Sequence, residues 1–201
     1  QEAEFETLLN RYFSMDAATT IDSSRLNNSL LDLDLTLDTE KEGPQILIYH
    51  SHSQEAFSDS REGKVEDTIV GVGEYLTQLL TEKYGYQVMH VTETFDMAGG
   101  ELDRSKAYDY AREWLEPVLE KHSSIQVLID LHRDGVPEGK HLVTEINGKP
   151  TAQIMYFNGL SRTVKNGNLD TLPNPYIEDN LSFSFQLSYQ AARYYPQLTR
   201  C

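Results

Sequence analysis

From Gln45 onward, short continuous apolar runs alternate with longer stretches whose apolar residues recur every three or four positions. The runs "QILIYHS", "YQVMHVTET" and "IQVLIDLH" have the pattern of strands covered on both faces. Between the first two, "EDTIVGVGEYLTQLLTEKYG" puts Ile69, Val72, Leu76, Leu79 and Leu80 on one helical face, and Gly85 is a natural stop. "DRSKAYDYAREWLEPVLEKH" predicts a second long helix, entered near Asp103. "KHLVTEING" and "KPTAQIMYFNG" read as a hairpin around Asn147-Gly148. A further helix is predicted from about Ile177 to Tyr194.

Strand, helix, strand, helix, strand implies parallel strands joined by right-handed crossovers. The fold class is therefore α/β, with a mostly parallel twisted sheet and helices on both faces. In such sheets ligands sit beyond the carboxyl ends of the strands. Two of these strands finish in histidine, "LIYHSH" and "LIDLH", so both endings belong on one sheet edge.

Residues 1–43 differ from the rest. "EAEFETLLNRYFSM" makes a short amphipathic helix with Phe5, Leu8, Leu9, Tyr12 and Phe13 on one face. An acidic stretch follows, with leucines at alternate positions 31, 33, 35 and 37 that suggest a short extended segment. The expected organisation is an N-terminal helical arm over 1–43, packing on a domain over 44–201.

Composition narrows the function. The chain has 201 residues, 39% hydrophobic and 24% charged, enough apolar material for a real core. Its net charge of -15 repels phosphate backbones, which argues against nucleic acid as a partner. The single cysteine, Cys201, permits neither an internal disulfide nor a cysteine zinc site. No apolar run reaches the roughly 18 residues of a membrane span. The chain begins at Gln1, and an anchor upstream of it is compatible with this.

The chemistry gathers at the strand ends. His52 and Glu55 form an HxxE pair on the turn after the first strand, and His132 ends another. Two imidazoles and a carboxylate make a catalytic zinc ligand set, with a fourth position open. Alternation along a strand points His50 the same way as His52, as a neighbour or substrate contact. Asp130 shares its side with His132 and could orient that imidazole. Asp134 flanks His132 as well, though Asp134-Gly135 is also a turn dipeptide. Arg133 is a candidate contact for an anionic intermediate or a substrate carboxylate, or a plain ion-pair partner. Glu66 is the alternative acidic ligand, against its simpler role in the first turn of a helix. No phosphate-binding glycine loop and no GxSxG elbow is present.

These pieces resemble a known family. "ILIYHSHSQEAF", "VGVGEYLTQLLTEKYG", "LDRSKAYDYAREWLEP", "VLIDLHRDGV" and "ARYYPQLTR" look like the stage II sporulation protein P family, in that family's order. The resemblance implies a fold like the zinc-dependent N-acetylmuramoyl-L-alanine amidases and zinc carboxypeptidases. It implies cleavage of the amide between N-acetylmuramic acid and L-alanine in peptidoglycan, with an endopeptidase activity besides. His52, Glu55 and His132 fall on the family's metal positions. The resemblance further implies anchoring in the mother-cell membrane, action at the engulfing septum, and sporulation proteins D and M as partners.

One departure bears on activity. The family's pattern continues past "YYPQLTR" to a strand whose glutamate is the expected general base, and residues 1–201 contain no equivalent. The expectation is that these residues alone bind metal poorly or hydrolyse little. Two rival readings stand beside the amidase. One is a zinc carboxypeptidase, which shares HxxE and a distant histidine. The other is a catalytically inactive module that docks on the wall or on a partner.

Overall fold

The computed structural model describes residues 2–200, so Cys201 lies outside the described residues. In chain order the elements begin with α1 (Glu2–Tyr12), β1 (Ile46–Tyr49), α2 (Ile69–Gln78) and β2 (Val88–His90). The short strands β3 (Met97–Ala98) and β4 (Glu101–Leu102) follow, then α3 (Ala107–Lys121) and β5 (Val127–Asp130). The remainder is β6 (Val143–Ile146), β7 (Lys149–Ala152), β8 (Arg162–Thr163), β9 (Gly167–Asn168) and α4 (Ile177–Tyr194). The chain divides into two compact units, residues 36–136 and residues 1–35 with 137–201.

The unit of residues 36–136 is built on a three-stranded parallel sheet in the order β2-β1-β5. The chain leaves β1 for one neighbour and returns across it to the other. Right-handed crossovers then place α2 and α3 on opposite faces. Leu47 of β1 packs with Ala111 and Leu115 of α3, and with Val91 and Phe95 after β2. On the other face, Gly73 of α2 lies against two imidazoles. A Cβ there would stand 2.6 Å from His90 Nε2 and 2.7 Å from His50 Nε2, so only glycine lets the helix come this close.

Several elements are shorter than the sequence pattern implies, β5 for one ending at Asp130 before His132, and for two of them the hydrogen bonding gives the reason. Glu66 and Asp67, expected to open the helix, lie instead in a 3-10 turn over Val65–Asp67. Arg61 holds the Asp67 carboxylate through Nε at 2.6 Å and Ser60 Oγ donates to the Asp67 carbonyl at 2.5 Å, which ties the segment to the preceding loop. The α-helix starts one residue after the Thr68 cap, whose hydroxyl accepts from the Val70 N–H. Strand β1 stops at Tyr49 rather than running on to Ser51. Asp130 takes the Ser51 N–H at 2.9 Å, and Asp96 takes the Ser53 hydroxyl and the Gln54 N–H. The turn at 51–54 is thus held by carboxylates, not by a neighbouring strand.

In the unit of residues 1–35 and 137–201, α1 packs its apolar face on α4. Leu8, Leu26 and Leu30 close on Leu181 and Phe185, with Phe5, Leu9, Tyr12 and Phe13 around them. The rings of Tyr12 and Phe13 each tilt against Phe185 at 5.3 Å. The alternating leucines are half-buried and the aspartates between them exposed, yet they pair with no strand. Part of this segment's backbone bonding goes to a side chain instead: Gln186 Nε2 donates to the carbonyls of Leu30 and Leu33. The Asn147-Gly148 hairpin forms as the pattern implies. Ile146 pairs with Lys149 across two residues of positive φ, 51° and 76°, a type I′ turn.

Candidate metal centre

His52, Glu55 and His132 come together where β1 and β5 end. Each offers a ligand atom, and all three atoms lie within 4.8 Å of one another. His52 and Glu55 sit on the carboxylate-held turn, and the Glu55 carbonyl accepts the Ile69 N–H at the start of α2. His132 lies two residues past the end of β5. The His52 and His132 rings meet edge to face at 5.0 Å, and the half-open ring of Tyr108 lies 5.2 Å from His52.

Glu55 is the electrostatic centre. Its Oε2 accepts the Arg133 backbone N–H at 2.5 Å and lies 3.6 Å from His132 Nδ1. Its Oε1 lies 3.9 Å from His52 Nδ1 and accepts from the guanidinium of Arg104. Burial alone would raise this carboxyl. The bonds from His132, the Arg133 N–H and Arg104 outweigh it and hold the carboxyl down to about 2. Burial would lower His132, but Asp130 and Glu55 together raise it to about 9. His52 is lowered by burial, then by the charges of Arg104 and His132. The metal-free site therefore holds an ionised glutamate, a protonated His132 and a neutral His52 at neutral pH.

Asp130 behaves as an orienting carboxylate. Its Oδ2 lies 3.0 Å from His132 Nε2, and Ser51 Oγ lies 3.0 Å from the same nitrogen. With Nε2 held there, His132 keeps Nδ1 on the Glu55 side.

His50 does not share the surroundings of His52, because the strand has ended before either residue. It is fully buried. Its Nδ1 donates to the Leu131 carbonyl at 2.8 Å, and its Nε2 lies 3.0 Å from His90 Nε2. His90 Nδ1 in turn faces Glu74 at 3.0 Å. His50 thus fastens β1 to the residue just before His132.

The other candidates are placed as follows. The Arg133 side chain donates to the carbonyls of Ala56 at 2.8 Å and Asp134 at 3.3 Å, so its guanidinium is engaged with loop backbone. Asp134 is exposed on that loop. Glu66 is not brought to the cluster. It sits exposed on the 3-10 turn, 3.8 Å from Arg61 and 3.9 Å from Lys64.

Sequence reasoning passed over Arg104, Tyr108 and Gly73. Arg104 carried a signal, since a cation just before a helix opposes the helix dipole and needs another reason to be there. Glycine inside a helical pattern is likewise a sign of close approach.

These residues fit a metal ion. His52 Nε2 is buried and, among the described residues, has no hydrogen-bond partner, which is costly for an imidazole serving structure alone. Two imidazoles and a carboxylate suit zinc with one position left open. A family model described as stage II sporulation protein P (SpoIIP) matches residues 6–201. No curated protein and no solved structure matches the chain.

Proposed function

This chain belongs to the stage II sporulation protein P family, and from that premise we propose that it is a zinc-dependent peptidoglycan hydrolase of sporulation. Its reaction is cleavage of the amide between N-acetylmuramic acid and L-alanine, on an amidase-like α/β scaffold. The observation that carries the reading is the convergence of His52, Glu55 and His132, with one ligand atom from each lying within 4.8 Å of the others. Family membership supports the sporulation role, and the donor set supports the metal.

His52, Glu55 and His132 would hold the ion. The chemistry that zinc would supply in such a site is polarisation of the amide carbonyl and a lowering of the pKa of water toward about 7. Asp130 and Ser51 fix His132 in the rotamer and tautomer that leave Nδ1 free. The Arg133 N–H fixes Glu55 through Oε2. The turn at 51–54, held by Asp96 and Asp130, sets the reach of His52. Tyr108 is 61% exposed and offers an aromatic face beside His52 on which a sugar or peptide can lie. Among the described residues no helix is long and apolar enough to cross a membrane.

The test is product analysis. With zinc added and purified sacculi as substrate, a protein that carries the family's glutamate-bearing strand after residue 201 should release stem peptides with free L-alanine amino termini, His132→Ala in that protein should release none, and residues 1–201 alone should release little. Trimming of plain peptides from their carboxyl ends would instead establish a carboxypeptidase. Zinc binding without any product would establish a binding module.

A further inference from the structure

Glu55 has two oxygens, and the two are held by partners of different kinds. Oε2 is held by the backbone N–H of Arg133, which cannot leave without moving the loop after β5. Oε1 is held by the guanidinium of Arg104, at the tip of a side chain that is 47% exposed, while Glu55 itself is 6% exposed. The main chain around Arg104 is well anchored. The Asp103 N–H donates to the Asp96 carbonyl at 2.9 Å, and Asp103 Oδ1 accepts the Ser105 N–H at 3.0 Å. The backbone is thus fixed while the guanidinium can move into solvent. It also lies near enough to His52 for its charge to help hold that imidazole neutral.

We infer that Arg104 is a built-in competitor for the metal position: its guanidinium occupies Glu55 Oε1 in the metal-free protein and is displaced into solvent when a divalent cation binds. This rests on the metal reading above. The reasoning is electrostatic. A buried carboxylate needs a positive partner, and Arg104 supplies one before the metal arrives. A guanidinium and a divalent cation cannot share one carboxylate oxygen without strong like-charge repulsion in a site shielded from water. Arg104 is therefore a positioning residue that keeps Glu55 ionised and aimed, at the expense of metal affinity.

The experiment is chelator competition with zinc alone, at fixed pH and ionic strength, on the full chain. Arg104→Gln should bind zinc at least about tenfold tighter than the parent, and Arg104→Lys, which keeps a charge, should stay near it. A second readout follows the parent protein itself. The side-chain Nε–H resonance of Arg104, assigned by its loss in Arg104→Gln, should move on zinc addition to the position of a solvated guanidinium. Equal or weaker zinc binding in Arg104→Gln, with an unmoved Arg104 resonance in the parent, would overturn the inference while leaving the metal site standing. Absence of His132-dependent zinc binding in both proteins would overturn the metal reading and this inference together.

Discussion

The two units bury different things. In residues 1–35 with 137–201, the core is leucine and phenylalanine, and the buried polar side chains are Ser182 and Ser184. Ser182 Oγ donates to the Leu30 carbonyl, and Ser184 Oγ donates to the Leu181 carbonyl at 3.1 Å. Residues 36–136 instead bury His50, Glu55 and Asp96, and among the described residues every ionisable side chain classed as buried lies in this unit. Burying ionisable groups costs stability unless each is paired, so a fold that needed only a core would not gather them. Their concentration where parallel strands end marks the unit that carries chemistry.

Changes in each unit should break this contrast in opposite ways. The largest effect is expected in the apolar core. Phe185→Ala removes a fully buried ring and should cost about 3–5 kcal/mol in denaturant unfolding of its unit. Zinc affinity should stay within about threefold, because the ligands lie in the other unit. Asp130→Asn is the converse. It should weaken zinc binding by about 10–100-fold, read by chelator competition, with a smaller change in unfolding.

Gly73→Ala sharpens the comparison within residues 36–136. Alanine favours a helix by about 1 kcal/mol over glycine. Here the new methyl meets two imidazole nitrogens under 3 Å away, one on the fully buried His50. Overpacking of this kind costs about 1–3 kcal/mol, so a net loss of about 1 kcal/mol is expected by thermal unfolding. Gain of stability would show that the His50–His90 pair yields easily.

The smallest effect lies at the surface. Arg61 bonds the Asp67 carboxylate through its side chain and its N–H, and lowers that group from 3.8 to about 2. A carboxyl lowered on folding stabilises the fold above its unfolded value, and the contribution fades as pH falls through about 2. The difference in thermal midpoint between the parent and Arg61→Ala should be small and constant above about pH 5, then shrink toward zero in acid.

Much of this was legible before any coordinates. Continuous apolar runs announced the parallel strands, Asn147-Gly148 announced its hairpin, and the amphipathic face of α1 announced its packing. The histidines ending "LIYHSH" and "LIDLH" placed His52 and His132 on one edge, since strand direction alone decides that. What stayed hidden depends on contacts distant in sequence. That β1 ends at Tyr49 follows from Asp130 and Asp96, residues far along the chain that capture the turn. The separation of His50 from His52 follows from that same turn. Arg104 reaches Glu55 across 49 positions, a pairing that no local pattern encodes.

The central claim is that His52, Glu55 and His132 hold one metal ion. Elemental analysis of the purified chain after zinc loading and exhaustive dialysis addresses it directly, with His132→Ala alongside. About one zinc per chain in the parent and close to none in the variant is the predicted result. Equal zinc in both proteins, or none in the parent, would contradict it.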